Sequence, residues 1–240
     1  MKLNIPKYKF PQDFQNSTRL TYYASLFNSI EINSSFYKMP QEKTAAKWSV
    51  EVPENFRFTF KLYKEITHSK ELNFNKEFVN QFFCSINAVG NKKGCVLIQF
   101  PPGIGIEYIT KLQKVLNFIS RLKTNWKIAV EFRNKSWYNN STYYLLNSYN
   151  AALVIQDISK SATPMIDHQS EFLYIRFHGP AGNYRDSYSE PFLSEYSTYI
   201  NEWLEEGKTV FVYFNNTIGD AFQNLLTLNK LLIDKMQEAL

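Results

Sequence analysis

The stretch KIAVEFRNKSW, residues 127–137, indicates how this chain folds. Side chains of a β-strand alternate between its two faces. The alternation predicts an apolar face and a second face ending in two charges: Ile128, Val130 and Phe132 against Ala129, Glu131 and Arg133. Charges confined to the carboxyl end of one face are typical of a parallel barrel strand whose last inward residues line a site.

Six more segments are apolar or alternate in the same way and are predicted strands: 29–35, 57–62, 95–100, 151–157, 172–179 and 209–216. Helical patterns separate them, at residues 16–27, 43–50, 76–89, 106–122, 142–149, 192–205 and 221–233. Because strands and helices alternate, we predict an α/β fold, a TIM-type (β/α) barrel of parallel strands. The alternative is an open doubly wound sheet, although the G-x-G-x-x-G turn of dinucleotide-binding sheets is absent from the sequence.

Seven strands are one fewer than a closed barrel contains. Residues 3–5 could supply a short first strand, and otherwise the barrel is incomplete or irregular at that point. The chain has 240 residues and no linker-like segment, so we expect a single domain over residues 1–240.

Composition narrows the class of protein. The chain is 44% hydrophobic but has no run of about 18 apolar residues, and its first residues contain no apolar leader segment. The two cysteines, Cys84 and Cys95, lack metal-type spacing, so we expect a cytoplasmic protein that neither spans nor binds a membrane. The net charge of +5 fits scattered surface lysines or a polyanionic partner such as nucleic acid, and the oligomeric state is left open.

The barrel prediction gives a candidate site, because inward residues at the carboxyl ends of the strands converge at one mouth. The candidates are Glu31, Asn33, Lys61, Gln99, Glu131, Arg133, Asp157, Arg176, His178, Asn215 and Asn216. Six of these carry a formal charge, three of each sign. Buried charges must pair, face water or meet a ligand, so the same set fits either an active site or a structural ion-pair layer.

Each residue type suggests a role. Glu131, His178 and Asp157 are the proposed catalytic residues, because carboxylates and imidazole are the usual proton carriers. Lys61, Arg133 and Arg176 would hold a phosphate or carboxylate, and Lys61 fits either Schiff-base chemistry or an ion pair. The amides of Asn33, Gln99, Asn215 and Asn216 would meet hydroxyl groups, or else cap turns.

The aromatic residues Tyr37, Trp137 and Tyr213 would form a stacking wall for a sugar or base, or simply pack in the core. His68 is a candidate residue at the rim of the site. Glu31, Glu131, Asp157 and His178 include metal-ligand types, but three cationic side chains at the same rim would oppose a divalent cation. We therefore predict no cofactor, with a metal as the alternative.

Six motifs occur in order along the chain: EINSSFY (31–37), FTFKLYKEITH (58–68), LIQFPP (97–102), VEFRNKSW (130–137), YIRFHG (174–179) and VYFNN (212–216). Together they make residues 20–232 resemble the YecE-like family, domain of unknown function 72. The resemblance implies a TIM-barrel-type fold and a set of motif residues, but no reaction. The first strand of that family, with a short Gly-Thr/Ser-Gly motif and a Trp, has no counterpart here.

The leading hypothesis is an enzyme that binds a small anionic molecule, phosphorylated or sugar-containing, at the carboxyl mouth of the barrel. Glu131 and His178 would exchange protons, and Arg133, Arg176 and Lys61 would hold the anion, as in a hydrolase, lyase or isomerase without a redox cofactor. The alternatives are a nucleic-acid-binding or nuclease-like protein and a non-catalytic ligand-binding barrel.

Overall fold

The computed structural model describes residues 6–165 and 170–238. The strands within these ranges are β1 (Ser29–Ile32), β2 (Arg57–Lys61), β3 (Lys93–Gln99), β4 (Lys127–Glu131), β5 (Ala151–Leu153), β6 (Ile155–Gln156), β7 (Phe172–Phe177) and β8 (Thr209–Phe214). All described pairings are parallel, in a five-stranded sheet of order β1-β2-β3-β4-β5 and a three-stranded sheet of order β6-β7-β8. The predicted parallel α/β fold is confirmed, and neither sheet shows the order reversal of a doubly wound fold.

Helices follow most strands along the chain. They are α1 (Arg19–Leu26), α2 (Ser34–Tyr37), α3 (Glu42–Val50), α4 (Lys64–Thr67), α5 (Lys76–Asn87), α6 (Ile109–Arg121), α7 (Asn140–Ser148), α8 (Glu190–Glu205) and α9 (Ala221–Glu238). The predicted helix 16–27 begins at Arg19, because Thr18 caps it: the Thr18 side chain accepts a hydrogen bond from the Thr21 N–H. No helix in the described part of the chain is long and apolar enough to cross a membrane.

The alternation of side chains separates two apolar layers. Phe60, Ile98 and Val130 belong to the large cluster that the first sheet forms with its helices. Leu97 and Ala129, one position away, belong to a second cluster that joins the two sheets. Its other members are Cys95 and Ala152 of the first sheet, Val154 between β5 and β6, and Phe172, Tyr174, Phe211 and Tyr213 of the second sheet. The opposite faces of the strands therefore pack differently, as the period of two predicts.

Two of the predicted strands are cut short by an identifiable feature of the structure. The segment 151–157 divides at Val154, whose N–H donates to the carbonyl of Val130 at 2.9 Å, so that β5 and β6 belong to different sheets. The segment 29–35 ends at Ile32 because α2 begins two residues later. Residues 3–5, the suggested first strand, lie outside the described residues.

A β-bulge sets the register of β2 against β3. Phe58 pairs with Lys93 but Phe60 pairs with Val96, so β3 gains one residue between these positions. Gly94 lies at the bulge, and a Cβ there would come within 2.8 Å of the Phe58 carbonyl oxygen. The bulge brings Lys61, the last residue of β2, opposite Leu97.

Candidate functional site at the carboxyl ends of the strands

Arg176, in β7, is the centre of a buried ion-pair network. Its Nε and NH2 groups donate to the two oxygens of Glu31 at 3.0 and 2.8 Å, and NH1 donates to Glu131 at 2.5 Å. The remaining N–H groups face His178 Nε2 and Asn215 Oδ1, both at 3.4 Å. Arg176 and Glu131 are almost fully buried, at 3% and 0% exposure, so this guanidinium is saturated by protein acceptors.

The second oxygen of Glu131 accepts a hydrogen bond from Nε of Arg133. Two guanidinium groups thus hold one carboxylate, and they lower the pKa of Glu131 to about 2 although burial alone would raise it. Arg133 is partly exposed, and its NH1 reaches the hydroxyl of Tyr184 at 3.3 Å. Arg133 therefore joins the buried network to the surface of the site.

His178 is held from both sides. Its backbone N–H donates to Asp157 Oδ1 at 2.8 Å, and Nδ1 lies 3.2 Å from the same oxygen. Its Nε2 faces Arg133 NH2 at 3.2 Å and Arg176 NH1, groups that only donate. Burial lowers the pKa of His178, so the ring is neutral at pH 7 with the proton on Nδ1.

Lys61 is the cation of this group that meets a neutral partner. Its Nζ donates to Gln99 Oε1 at 2.7 Å and lies 4.3 Å from the ring centroid of Phe36. Partial burial, together with the positive charge of Arg176, lowers the pKa of Lys61 to about 8. Ser35 fixes the end of this strand, because its hydroxyl donates to the carbonyl of Lys61 at 2.7 Å.

Two asparagines border the network. Asn33 donates its Nδ2 to Glu31 Oε1 at 2.8 Å. Asn215 accepts from Arg176 through Oδ1, while its buried Nδ2 has no hydrogen-bond partner among the described residues. A buried donor without an acceptor is costly, so this amide group is an exception among the buried polar groups of the network.

The structure places four of the candidate residues away from this cluster. Trp137 is fully buried, its ring 4.4 Å from that of Phe132, and its Nε1 donates to the carbonyl of Ile104 at 2.8 Å. Asn216 Nδ2 donates to the carbonyl of Asp186 and to Asn224 Oδ1, so it anchors the chain after β8. Both side chains are fully buried, and Asn216 Oδ1 has no hydrogen-bond partner among the described residues, so their role as substrate contacts stays a prediction.

The other two of these candidates are held by contacts outside the cluster. Tyr213 is buried in the layer between the sheets, with its hydroxyl 2.9 Å from Thr59 Oγ1. His68 bonds Thr67 Oγ1 through Nδ1 at 2.8 Å and packs edge-on against Phe36, and burial with the nearby Lys61 lowers its pKa. Tyr37 is 71% exposed and stands beside Phe36 rather than forming a wall with Trp137 and Tyr213.

Three tyrosines outside the predicted set of candidates also contribute to the site. Tyr174 donates its hydroxyl to Glu31 at 2.5 Å, Tyr184 contacts Arg133, and Tyr188 donates to Asp157. Tyr174 has a sequence signal, because it lies two residues before Arg176 on the same face of β7. Tyr184 and Tyr188 lie in a loop without periodicity, so their sequence positions give no such signal.

Gly179 allows this loop to fold back over β7. Its φ is +98°, and a Cβ atom at this position would overlap the carbonyl oxygen of Arg185. The loop is tied down where the Tyr184 N–H donates to the carbonyl of His178 at 2.5 Å. The Tyr188 hydroxyl also accepts from the Gly179 N–H at 2.6 Å.

No group of three or more His, Cys, Asp and Glu side chains within residues 6–165 and 170–238 is arranged to hold a metal ion. The carboxylates of Glu31 and Glu131 face guanidinium groups instead.

Parallel strands that end in a compact cluster of paired charges define an α/β protein with a polar site at its strand termini. The sequence profile described as "Protein of unknown function DUF72" matches residues 5–239, and the chain belongs to this family. The predicted family membership is thereby confirmed.

Relatives and solved structures agree with this assignment. UPF0759 protein YunF of Bacillus subtilis is 28% identical to this chain, over 90% of this chain and 86% of YunF. UPF0759 protein YecE of Escherichia coli is 24% identical, over 57% of this chain and 49% of YecE. A crystal structure of a DUF72 family protein from Enterococcus faecalis V583 is 27% identical, with a TM-score of 0.79 over 90% of this chain and 88% of that one. A crystal structure of a DUF72 family protein from Thermotoga maritima is 25% identical, with a TM-score of 0.67 over 96% of this chain and 93% of that one. The names of these proteins specify no reaction.

Proposed function

We propose that this chain is an enzyme acting on a small anionic substrate, phosphorylated or sugar-containing, at the carboxyl ends of the strands. The observation that carries the proposal is the unequal use of the three cations. Arg176 is saturated by Glu31 and Glu131, whereas Arg133 keeps part of its surface exposed and Lys61 meets only the neutral Gln99. Of the three, Arg133 is therefore available to bind an anion, and Lys61, which pairs with no carboxylate among the described residues, is available for proton transfer.

The proposal includes a barrel in which the two sheets surround one inner layer. Its support is the set of contacts that cross between the sheets. Tyr174 and Arg176 of β7 reach Glu31 of β1, and Tyr213 of β8 meets Thr59 of β2. In a closed barrel these residues face one another across the interior, and the site lies at its carboxyl mouth.

Lys61 is assigned the proton transfer. With a pKa of about 8, roughly a tenth of its amines are neutral at pH 7, and a neutral amine accepts a proton from a substrate carbon or hydroxyl. Glu131, with a pKa of about 2, stays charged, and both nitrogens of His178 are occupied. The proton exchange between Glu131 and His178 suggested by the sequence stays a prediction that requires these bonds to open.

The remaining groups orient the substrate. Arg133 would hold its phosphate or carboxylate, and the Nδ2 group of Asn215 would donate to a further oxygen. Such an arrangement supports proton abstraction next to an anionic group, as in isomerases and lyases, with no redox step. The predicted cytoplasmic location and a small anionic partner are part of the same proposal.

The test is mass spectrometry of small molecules that co-purify with the protein, followed by thermal shift and turnover assays with a panel of sugar phosphates and sugar acids. We expect wild type to retain an anion that Arg133→Met loses, and Lys61→Met to retain it but not convert it. Lys43→Met, which changes an exposed lysine, is the matched control. Binding without turnover in wild type would identify a non-catalytic binding protein, and no binding by folded wild type would refute the proposal.

A further inference from the structure

A second cationic surface lies on the outside of the molecule, where α6 meets the segment that leads into α5. It forms an open groove of about 470 Å³ lined by four basic residues: Lys76, Lys111, Lys114 and Arg121. Lys111, Lys114, Phe118 and Arg121 follow one another at spacings of three and four residues along α6, so they share one helix face. At 1.5 Å per residue, this stripe is about 15 Å long.

The four cations have no acidic partners within residues 6–165 and 170–238. Among the described residues, no carboxylate lies within 4 Å of any of their side-chain nitrogens. The groove lining contains no Asp or Glu. This contrasts with the strand-end cluster, where Arg133 and Arg176 are bound to carboxylates, and it gives the groove a positive potential of its own.

The groove also contains two half-buried aromatic rings. Phe74 and Phe118 lie with their centroids 6.2 Å apart, and Lys76 Nζ stands 5.8 Å from the Phe118 centroid. Two amides and Leu72 complete the lining. Asn73 orients Lys111 by accepting a hydrogen bond from its Nζ at 2.5 Å. Cations beside aromatic faces suit a ligand that alternates phosphates with planar bases better than an acidic peptide, which offers no ring to stack.

We propose that this groove binds single-stranded nucleic acid without sequence preference. Phosphates would lie along Lys111, Lys114 and Arg121, and bases would stack against Phe74 and Phe118. A stripe of about 15 Å spans a segment of a few nucleotides, which matches the three cations along it. The proposal is independent of the strand-end site, because none of the groove residues belongs to the network around Arg176.

The experiment measures fluorescence anisotropy of labelled 15-nucleotide DNA and RNA with the full chain, between 50 and 200 mM NaCl. The triple variant Lys111→Gln, Lys114→Gln, Arg121→Gln removes three charges from the groove. A control variant with Lys7, Lys9 and Lys43 changed to Gln removes three exposed charges elsewhere. All substitutions are on helix surfaces, and circular dichroism and thermal melting verify that both variants fold.

We expect the groove variant to bind at least about tenfold more weakly, with a log–log salt slope smaller by about two, since three phosphate contacts at about 0.7 each are lost. The control should change affinity less than threefold. Equal loss in the two variants, or no binding by wild type at 50 mM NaCl, would overturn the proposal.

Two further probes test the role of the rings and the class of partner. A 15-residue abasic strand keeps the phosphates and lacks the bases, so we expect it to bind more weakly than the normal oligonucleotide. Equal affinity for the abasic strand would contradict stacking. Poly-glutamate that competes as well as the oligonucleotide would identify an acidic peptide site instead.

Discussion

Replacing Arg176 by Met tests the buried network most directly. The change removes the ion-pair partner that Glu31 has among the described residues and one of the two guanidinium groups on Glu131. Breaking a buried pair by deleting one partner costs about 3–5 kcal/mol, because the remaining charge is buried without compensation. At pH 7 we expect the free energy of unfolding to fall by this amount.

The pH dependence distinguishes this cause from lost packing. The pKa of Glu131 is about 2 in the folded protein against an ordinary value of 4.5, which corresponds to about 3 kcal/mol. Because this pKa is depressed, the stabilisation is present above pH 4.5 and is lost as the pH falls towards 2. Without Arg176, burial raises the pKa of Glu31. As the pH falls, Glu31 of the variant becomes protonated, and the cost of its unpaired buried charge disappears.

The assay is urea unfolding, followed by circular dichroism, at pH 7 and pH 4 for wild type and the Arg176→Met variant. We expect the difference in unfolding free energy at pH 4 to be less than about half of that at pH 7. Adding Glu31→Gln and Glu131→Gln should restore most of the stability at pH 7, and this variant keeps the test possible if Arg176→Met does not fold. Arg121→Met, an exposed change, is the control. A pH-independent difference, or no recovery in the triple variant, would refute the reasoning.

Further predictions concern single groups. In competitive labelling with an amine reagent, Lys61 should react with a midpoint near pH 8, well below the ordinary lysine value of 10.5; a midpoint at the ordinary value would contradict the lowered pKa. Long-range ¹⁵N NMR should show His178 with the proton on Nδ1 at pH 7, titrating below its ordinary pKa of 6.5; a protonated ring at pH 7 would be inconsistent with donors facing Nε2. Gly179→Ala should lower the free energy of unfolding in urea by about 1–3 kcal/mol, because φ is +98° and the new Cβ would overlap Arg185. Gly103→Ala is the control, since the space around its Cβ is open, and equal effects of the two substitutions would contradict the prediction.

The strands could be predicted because their signal is local. Alternation over five to seven residues separates apolar from polar faces, and the structure preserves these faces in β2, β3, β4 and β7. The break at Val154 has no such signal, because the residues on both sides of it are apolar whichever sheet they join. The cause of the break is tertiary, because the residues before it (β5) pair with β4 and the residues after it (β6) pair with β7.

The membership of the charged cluster could also be predicted, but the pairing within it could not. Arg176 and Glu31 are separated by 145 positions in sequence, and nothing in either strand determines which carboxylate a guanidinium meets. Likewise, Trp137 follows the strand that carries Glu131 and Arg133, yet its ring turns into the helical layer and stacks on Phe132. Side-chain direction after a strand ends is set by the loop, for which the period of two no longer holds.

The pairing also explains why the network is better understood as a scaffold than as a source of stability. A buried ion pair roughly offsets its own desolvation cost, so evenly packed apolar residues would stabilise the interior as well. The ion pairs instead orient the side chains. Glu31 and Glu131 fix the guanidinium of Arg176, and Glu131 also fixes Nε of Arg133. The guanidinium of Arg133 is thereby held with NH1 directed to the exposed Tyr184, and the same field of charges helps to set the pKa of Lys61. The buried charges thus prepare the two accessible cations, which are the groups that the proposed function assigns to the substrate.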